Sequence, residues 1–163
     1  MKKNLLIFFL VSLNFIINSQ TNLVLNPSFE SYTACPTNSD QLSNSAGWFS
    51  FGESPDYFNS CNNSGFGLPL NLIGYQNANT GTSYAGFAAY SSMGFAREFI
   101  GSQLTQTLNI GTKYYISMKV SLAEFDAINQ QYIPCNKIGI RLSTVPFSAL
   151  TPPPLKQLRS CLY

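Results

Sequence analysis

The chain contains no histidine, so the usual nucleophile and base pairings of hydrolases reduce to carboxylate pairs or a Ser-Lys arrangement. The carboxylates are few. Glu53 with Asp56, and Glu124 with Asp126, are close enough in sequence to act as two acids, but a glycosidase draws its pair from separate strands across a cleft. Beside Pro55 or in loops they read as solvated turn residues, and the expectation is that the protein is not an enzyme. A different chemistry is better supplied. Aromatic faces stack on the apolar side of sugar rings, while amide and guanidinium groups hydrogen-bond to hydroxyls. Trp48, Tyr57, Tyr75 and Tyr115, with Gln76 and Arg97 as polar partners, form the expected ligand-contacting set; Tyr84, Tyr90 and Asn59 are further material of the same kind. The competing reading is that these aromatics are core, with Trp48 packed between two sheets. Arg97 either clamps a ligand carboxylate or hydroxyl pair, or ties Glu98 or Glu30 to the sheet.

The four cysteines, Cys35, Cys61, Cys135 and Cys161, could form disulfides or a zinc site. Zinc is disfavoured because no two are spaced as CxxC and histidine is missing. Of three possible pairings, Cys35 with Cys61 and Cys135 with Cys161 is preferred, since each pair brackets a loop-rich stretch. Closing such a loop stabilises by roughly 3 kcal/mol.

Disulfides need an oxidising compartment, and the N-terminus provides the route. Lys2 and Lys3 precede an apolar run over 5–13, continued by Phe15, Ile16 and Ile17 beyond Asn14. This is the pattern of a secretory signal peptide at 1–19, cleaved after the small Ser19. A membrane anchor is the alternative, but the uninterrupted run is shorter than the roughly 20 residues a bilayer needs. The nine basic residues of the whole chain, less Lys2 and Lys3, equal the seven acids. The mature chain is therefore formally neutral, and nothing in its charge favours nucleic acid. The expected location is outside the cytoplasm: periplasmic, cell-surface or secreted, with no transmembrane segment after cleavage.

These side chains must be held by strands. Asn, Ser, Thr, Gly, Tyr and Phe are abundant, and no stretch beyond residue 20 keeps a helical apolar period for more than two turns. That composition predicts an all-β chain. The clearest strand spans 113–124, where Tyr114, Ile116, Met118, Val120 and Leu122 alternate with Tyr115, Ser117, Lys119 and Ser121, one face core and the other wet. Tyr115 falls on the outward phase, where an exposed ring suggests a contact surface. A tight turn at 109–112 should join this strand to 98–108 as a hairpin. Residues 137–144 read as another strand with Ile138, Ile140 and Leu142 inward. Shorter runs at 22–25, 48–51, 70–75 and 84–90 are separated by Asn, Ser, Gly and Pro, the turn formers. Several short strands of this kind argue for one domain, an antiparallel β-sandwich or barrel. After Thr144, three prolines at 152–154 favour an extended, unpaired segment.

The opening Asn22-Leu23-Val24-Leu25-Asn26-Pro27-Ser28-Phe29-Glu30 resembles the first strand of carbohydrate-binding-module-like jelly rolls, a galactose-binding-like β-sandwich. Cys35-Pro36, Gly47-Trp48-Phe49, 55–61, Gly74-Tyr75-Gln76, Thr80-Gly81, Tyr84-Ala85-Gly86 and 97–100 follow in an order similar to N-terminal domains of exported Bacteroidetes proteins. Those proteins often carry a gliding-motility, secretion-sorting or OmpA-type C-terminal module. The resemblance implies a signal peptide at 1–19, a sandwich domain at 20–147 and a Pro-containing tail at 148–163. It also implies a jelly roll incomplete at its C-terminus, as in a piece of a longer protein. From the same resemblance, Glu30 is the expected ligand of a structural calcium, although calcium wants several oxygen ligands and Glu30 could equally cap the strand or pair with Arg97 or Arg141. No cofactor is otherwise required. The function implied is a non-catalytic binding or adhesion module whose partner is a glycan or cell-surface polymer, against a purely structural sandwich or, least favoured, a glycan-active enzyme.

Overall fold

A computed structural model describes residues 20–51, 54–89, 97–123 and 138–145. The expected signal peptide, the tail at 148–163, and Glu53, Tyr90, Glu124, Asp126, Cys135 and Cys161 lie outside the described residues. Within them the chain is β-rich, with a single 3-10 turn at Leu42–Asn44. The strands in chain order are β1 Trp48–Ser50, β2 Asp56–Asn59, β3 Leu70–Asn71, β4 Gly74–Tyr75, β5 Ser83–Gly86 and β6 Ile100–Ser102. They pair antiparallel as β1 with β6, β2 with β5 and β3 with β4. Isolated bridges add Val24 to Leu104 and Tyr32 to Ser45. The all-β expectation holds in this coarse sense. Each ladder is only two strands wide, so a jelly roll is not defined by them.

The core gathers on β2. Tyr57 and Phe58 are consecutive, so they point to opposite faces of the strand, yet both are 0 % exposed. Both faces of β2 are therefore covered. Opposite Phe58 in the ladder stands Tyr84, with ring centroids 5.3 Å apart, and Phe66 stacks on Phe58 at 6.1 Å. Leu42, from the 3-10 turn, is buried as well. Burying the polar ends of this core costs free energy unless they are hydrogen-bonded. Asn59 meets that condition: its Nδ2 donates to Tyr57 Oη (2.8 Å) and Ser83 Oγ (2.7 Å), and its Oδ1 accepts from Cys61 N (2.8 Å). The Tyr57 hydroxyl in turn donates to the Phe29 carbonyl (2.8 Å). Cys35 and Cys61 form the expected disulfide, S–S 2.08 Å.

The strongest sequence pattern gives a different result. Over 113–123 and 138–144 no strand ladder forms among the described residues, and Ile116, Met118, Val120, Leu122, Ile140 and Leu142 are all exposed. The expected hairpin is corrected: its turn forms without a ladder between 98–108 and 113–123. The turn at 109–112 is present, with Thr112 N donating to Asn109 O (3.2 Å) and Gly111 at φ 81°, but β6 pairs with β1 across the molecule. Alternation makes a segment amphipathic; it does not say which backbone will supply its hydrogen bonds. No helix among the described residues is long and apolar enough to cross a membrane.

Candidate functional site

The residues expected to contact ligand do not fall in one place. Trp48 starts β1, half-buried. Its Nε1 donates to the Asn26 carbonyl (2.8 Å), and its ring lies 4.4 Å from that of Phe29. The Asn26 side chain is itself a hub: Nδ2 donates to Ser31 O (2.8 Å), Ala46 O (3.0 Å) and Ser45 Oγ (3.1 Å), while Oδ1 accepts from Ser31 N (3.0 Å). Asn26 (φ 51°) and Phe29 (φ 63°) adopt left-handed backbone, which these bonds hold in place. The segment that looked like a first strand is thus a hydrogen-bonded clasp, and Trp48 belongs to it.

Glu30 completes the clasp. Its Oε1 accepts from Thr82 N (2.9 Å) and its Oε2 from Thr82 Oγ1 (3.0 Å); Ser28 and Thr80 hydroxyls meet alongside at 3.2 Å. Gly81, at φ 68°, lets the carboxylate lie so close that a Cβ there would come 2.4 Å from Glu30 Cδ. Among the described residues no group of three or more acidic, Cys or His side chains could hold a metal. A calcium at Glu30 would need its remaining oxygen ligands from backbone carbonyls, amides and waters.

Tyr57 is corrected from a ligand-facing to a core position, since its ring is fully buried. Arg97 is half-buried, directly before Glu98. The Glu98 carboxylate accepts from Ala88 N (2.6 Å) and Ser54 Oγ (3.3 Å), and Asp56 accepts from Asp40 N (2.9 Å). Burial pushes both carboxyls above their ordinary range, the hydrogen bonds oppose it, and nearby negative charge adds to it: Asp40 on Asp56, and Asp56 on Glu98. Each of these acids ties loop backbone or side chains by hydrogen bonds.

The exposed group is the β3 to β4 hairpin. Asn71 shapes it, its Oδ1 accepting from Ile73 N (3.0 Å) in an Asx-turn, while its Nδ2 donates to Tyr84 Oη (2.5 Å) and anchors the hairpin to the core. Leu70 and Tyr75 are cross-strand partners, 69 % and 53 % exposed, and Leu72 at the tip is 57 % exposed. Gln76 follows. Its Nε2 donates to Asn77 O (2.8 Å), and its Oε1 accepts from Ser121 Oγ (2.5 Å). Tyr75 and Gln76 are therefore adjacent as expected, whereas Trp48, Tyr57 and Arg97 are elsewhere. Tyr115 is 87 % exposed, six residues before Ser121, which limits its distance from Gln76 to the reach of roughly 20 Å of chain. Leu70, Leu72 and Ser121 escaped the sequence reading. The tip leucines were visible only as part of an apolar run, and the contact of Ser121 is a long-range one.

Compared with protein-family models, with curated proteins and with solved structures, the chain gives no match in any of the three.

Proposed function

We propose that this is a non-catalytic binding and adhesion module of jelly-roll type, exported by its N-terminal signal peptide to the periplasm, cell surface or medium, and that it contacts a glycan or cell-surface polymer. The observation that carries the reading is the β3 to β4 hairpin, where a half-exposed tyrosine, flanked by exposed Leu70 and Leu72, stands next to an amide. Monomeric proteins expose such contiguous apolar groups sparingly, and a contact surface is the common reason. The Cys35 to Cys61 disulfide supports an oxidising location. A glycan array probed with the chain purified after export, with calcium and with chelator, tests this. Binding is expected under both conditions, and Tyr75→Ala should weaken it roughly tenfold, as for an aromatic anchor. Trp48→Phe should leave it intact. Failure to bind any glycan in either condition would remove this reading.

A second reading has its own support. The exposed row from Ile116 to Leu122 favours a sandwich that serves protein contacts and takes no small ligand.

A further inference from the structure

The charge pattern around the hairpin bears on what kind of polymer it takes. From Tyr57 to Ala96 the sequence contains no Asp, Glu, Lys, Arg or His. That stretch includes all of β3, β4 and β5, so every side chain the hairpin itself can offer is a hydroxyl, an amide, an aromatic ring or an aliphatic group. After Tyr75 the chain continues with Gln76, Asn77, Asn79 and Thr80 as polar residues, at least partly exposed in each case; Glu30, whose carboxylate reaches this stretch at Gly81, is taken up by Thr82. Amides and hydroxyls both donate and accept, which matches the hydroxyls of a neutral sugar. A uronate carboxylate or a sulfate ester asks for something else: charge-assisted bonds from Arg or Lys, the strong and specific way to hold such a group.

Among the described residues, Lys119 lies close in sequence to a hairpin contact. Lys119 precedes by two residues Ser121, whose hydroxyl binds Gln76. Lys119 is exposed, and a solvated surface lysine changes binding of an anion by about fivefold at most. That is too little to select an acidic polymer against an uncharged one that uses the tyrosine and the amides. Resting on the glycan-binding reading above, we infer that the hairpin surface around Tyr75 and Gln76 takes an uncharged polysaccharide and discriminates against uronate-bearing or sulfated ones.

The test is affinity electrophoresis of the exported chain in gels containing xyloglucan, galactomannan or mixed-linkage β-glucan as neutral probes, and polygalacturonate or dextran sulfate as polyanions, at low and high salt. At least one neutral polymer should retard the chain, with less than about a twofold change between salt conditions, because no counterions are released. Tyr75→Ala should abolish the retardation and Tyr75→Phe keep it, since stacking needs the ring and not the hydroxyl. Lys119→Gln should have no effect on it. Retardation by a polyanion that collapses at high salt or in Lys119→Gln would overturn the inference while leaving glycan binding in place. Retention of neutral-polymer binding in Tyr75→Ala would overturn the assignment to the hairpin. Retardation by neither class would bring down the glycan reading itself, and this inference with it.

Discussion

Residues 26–86 bury Tyr57, Phe58 and Phe66 around β2, whereas 113–123 and 138–145 leave a row of Ile, Met, Val and Leu open to water. The two regions differ less in hydrophobicity than in how their polar groups are satisfied. In the first, Asn26, Glu30, Asn59 and Asn71 bond side chain to backbone or side chain across intervals of up to 52 residues, and a disulfide closes 26 residues of chain. In the second, Ser121 reaches Gln76, but no strand ladder forms among the described residues. Apolar side chains stay covered where the backbone beneath them has somewhere to put its hydrogen bonds.

The contrast can be broken most directly at Phe58. Truncating this fully buried ring with Phe58→Ala should cost about 3–5 kcal/mol, whereas Ile116→Ala should cost less than about 1 kcal/mol, both read by denaturant unfolding. Equal losses would mean that 113–123 is packed as tightly as β2. Next in size, replacing Cys35 and Cys61 by serine should cost about 3 kcal/mol through the freed unfolded chain; a change below about 1 kcal/mol would show that the side-chain bonds alone hold the first region.

The smallest effect is a pH slope. Asp56 and Glu98 have folded-state values above their ordinary 3.8 and 4.5, so folding favours their protonated forms. Their contribution is complete below those ordinary values and is lost as pH rises through the raised ones. Mild acidification from neutrality should thus raise the stability these two groups provide. The double variant Asp56→Asn, Glu98→Gln should flatten that part of the profile, and an unchanged slope would place its origin in other groups.

Legibility followed the same division. β1 and the turn at 109–112 could be read because local signals decide them: an aromatic run, and a glycine that takes φ 81°. The Cys35 to Cys61 pair was legible from the loop it brackets. β2 was not, because a strand covered on both faces loses its alternation; Tyr57 and Phe58 are simply two neighbouring rings until a fold surrounds them. Tyr57 follows the competing core reading. Glu30 was singled out as a calcium ligand or a partner of Arg97 or Arg141, but the bonds it makes go to Thr82, 52 residues away, beyond any local rule. Conversely, 113–123 has the clearest alternation in the chain and no ladder among the described residues, since period says nothing about partner.

The placement of the disulfide-closed core also has a consequence in time. Every residue that builds β2, β5 and the Cys35 to Cys61 ring lies before residue 87, and a ribosome delivers the chain N-terminus first. The residues of the buried centre are therefore all present before the row from Tyr114 to Leu122 is made, while the disulfide waits for an oxidising compartment. That order spares the core residues from competing with a long, alternating apolar stretch of their own chain.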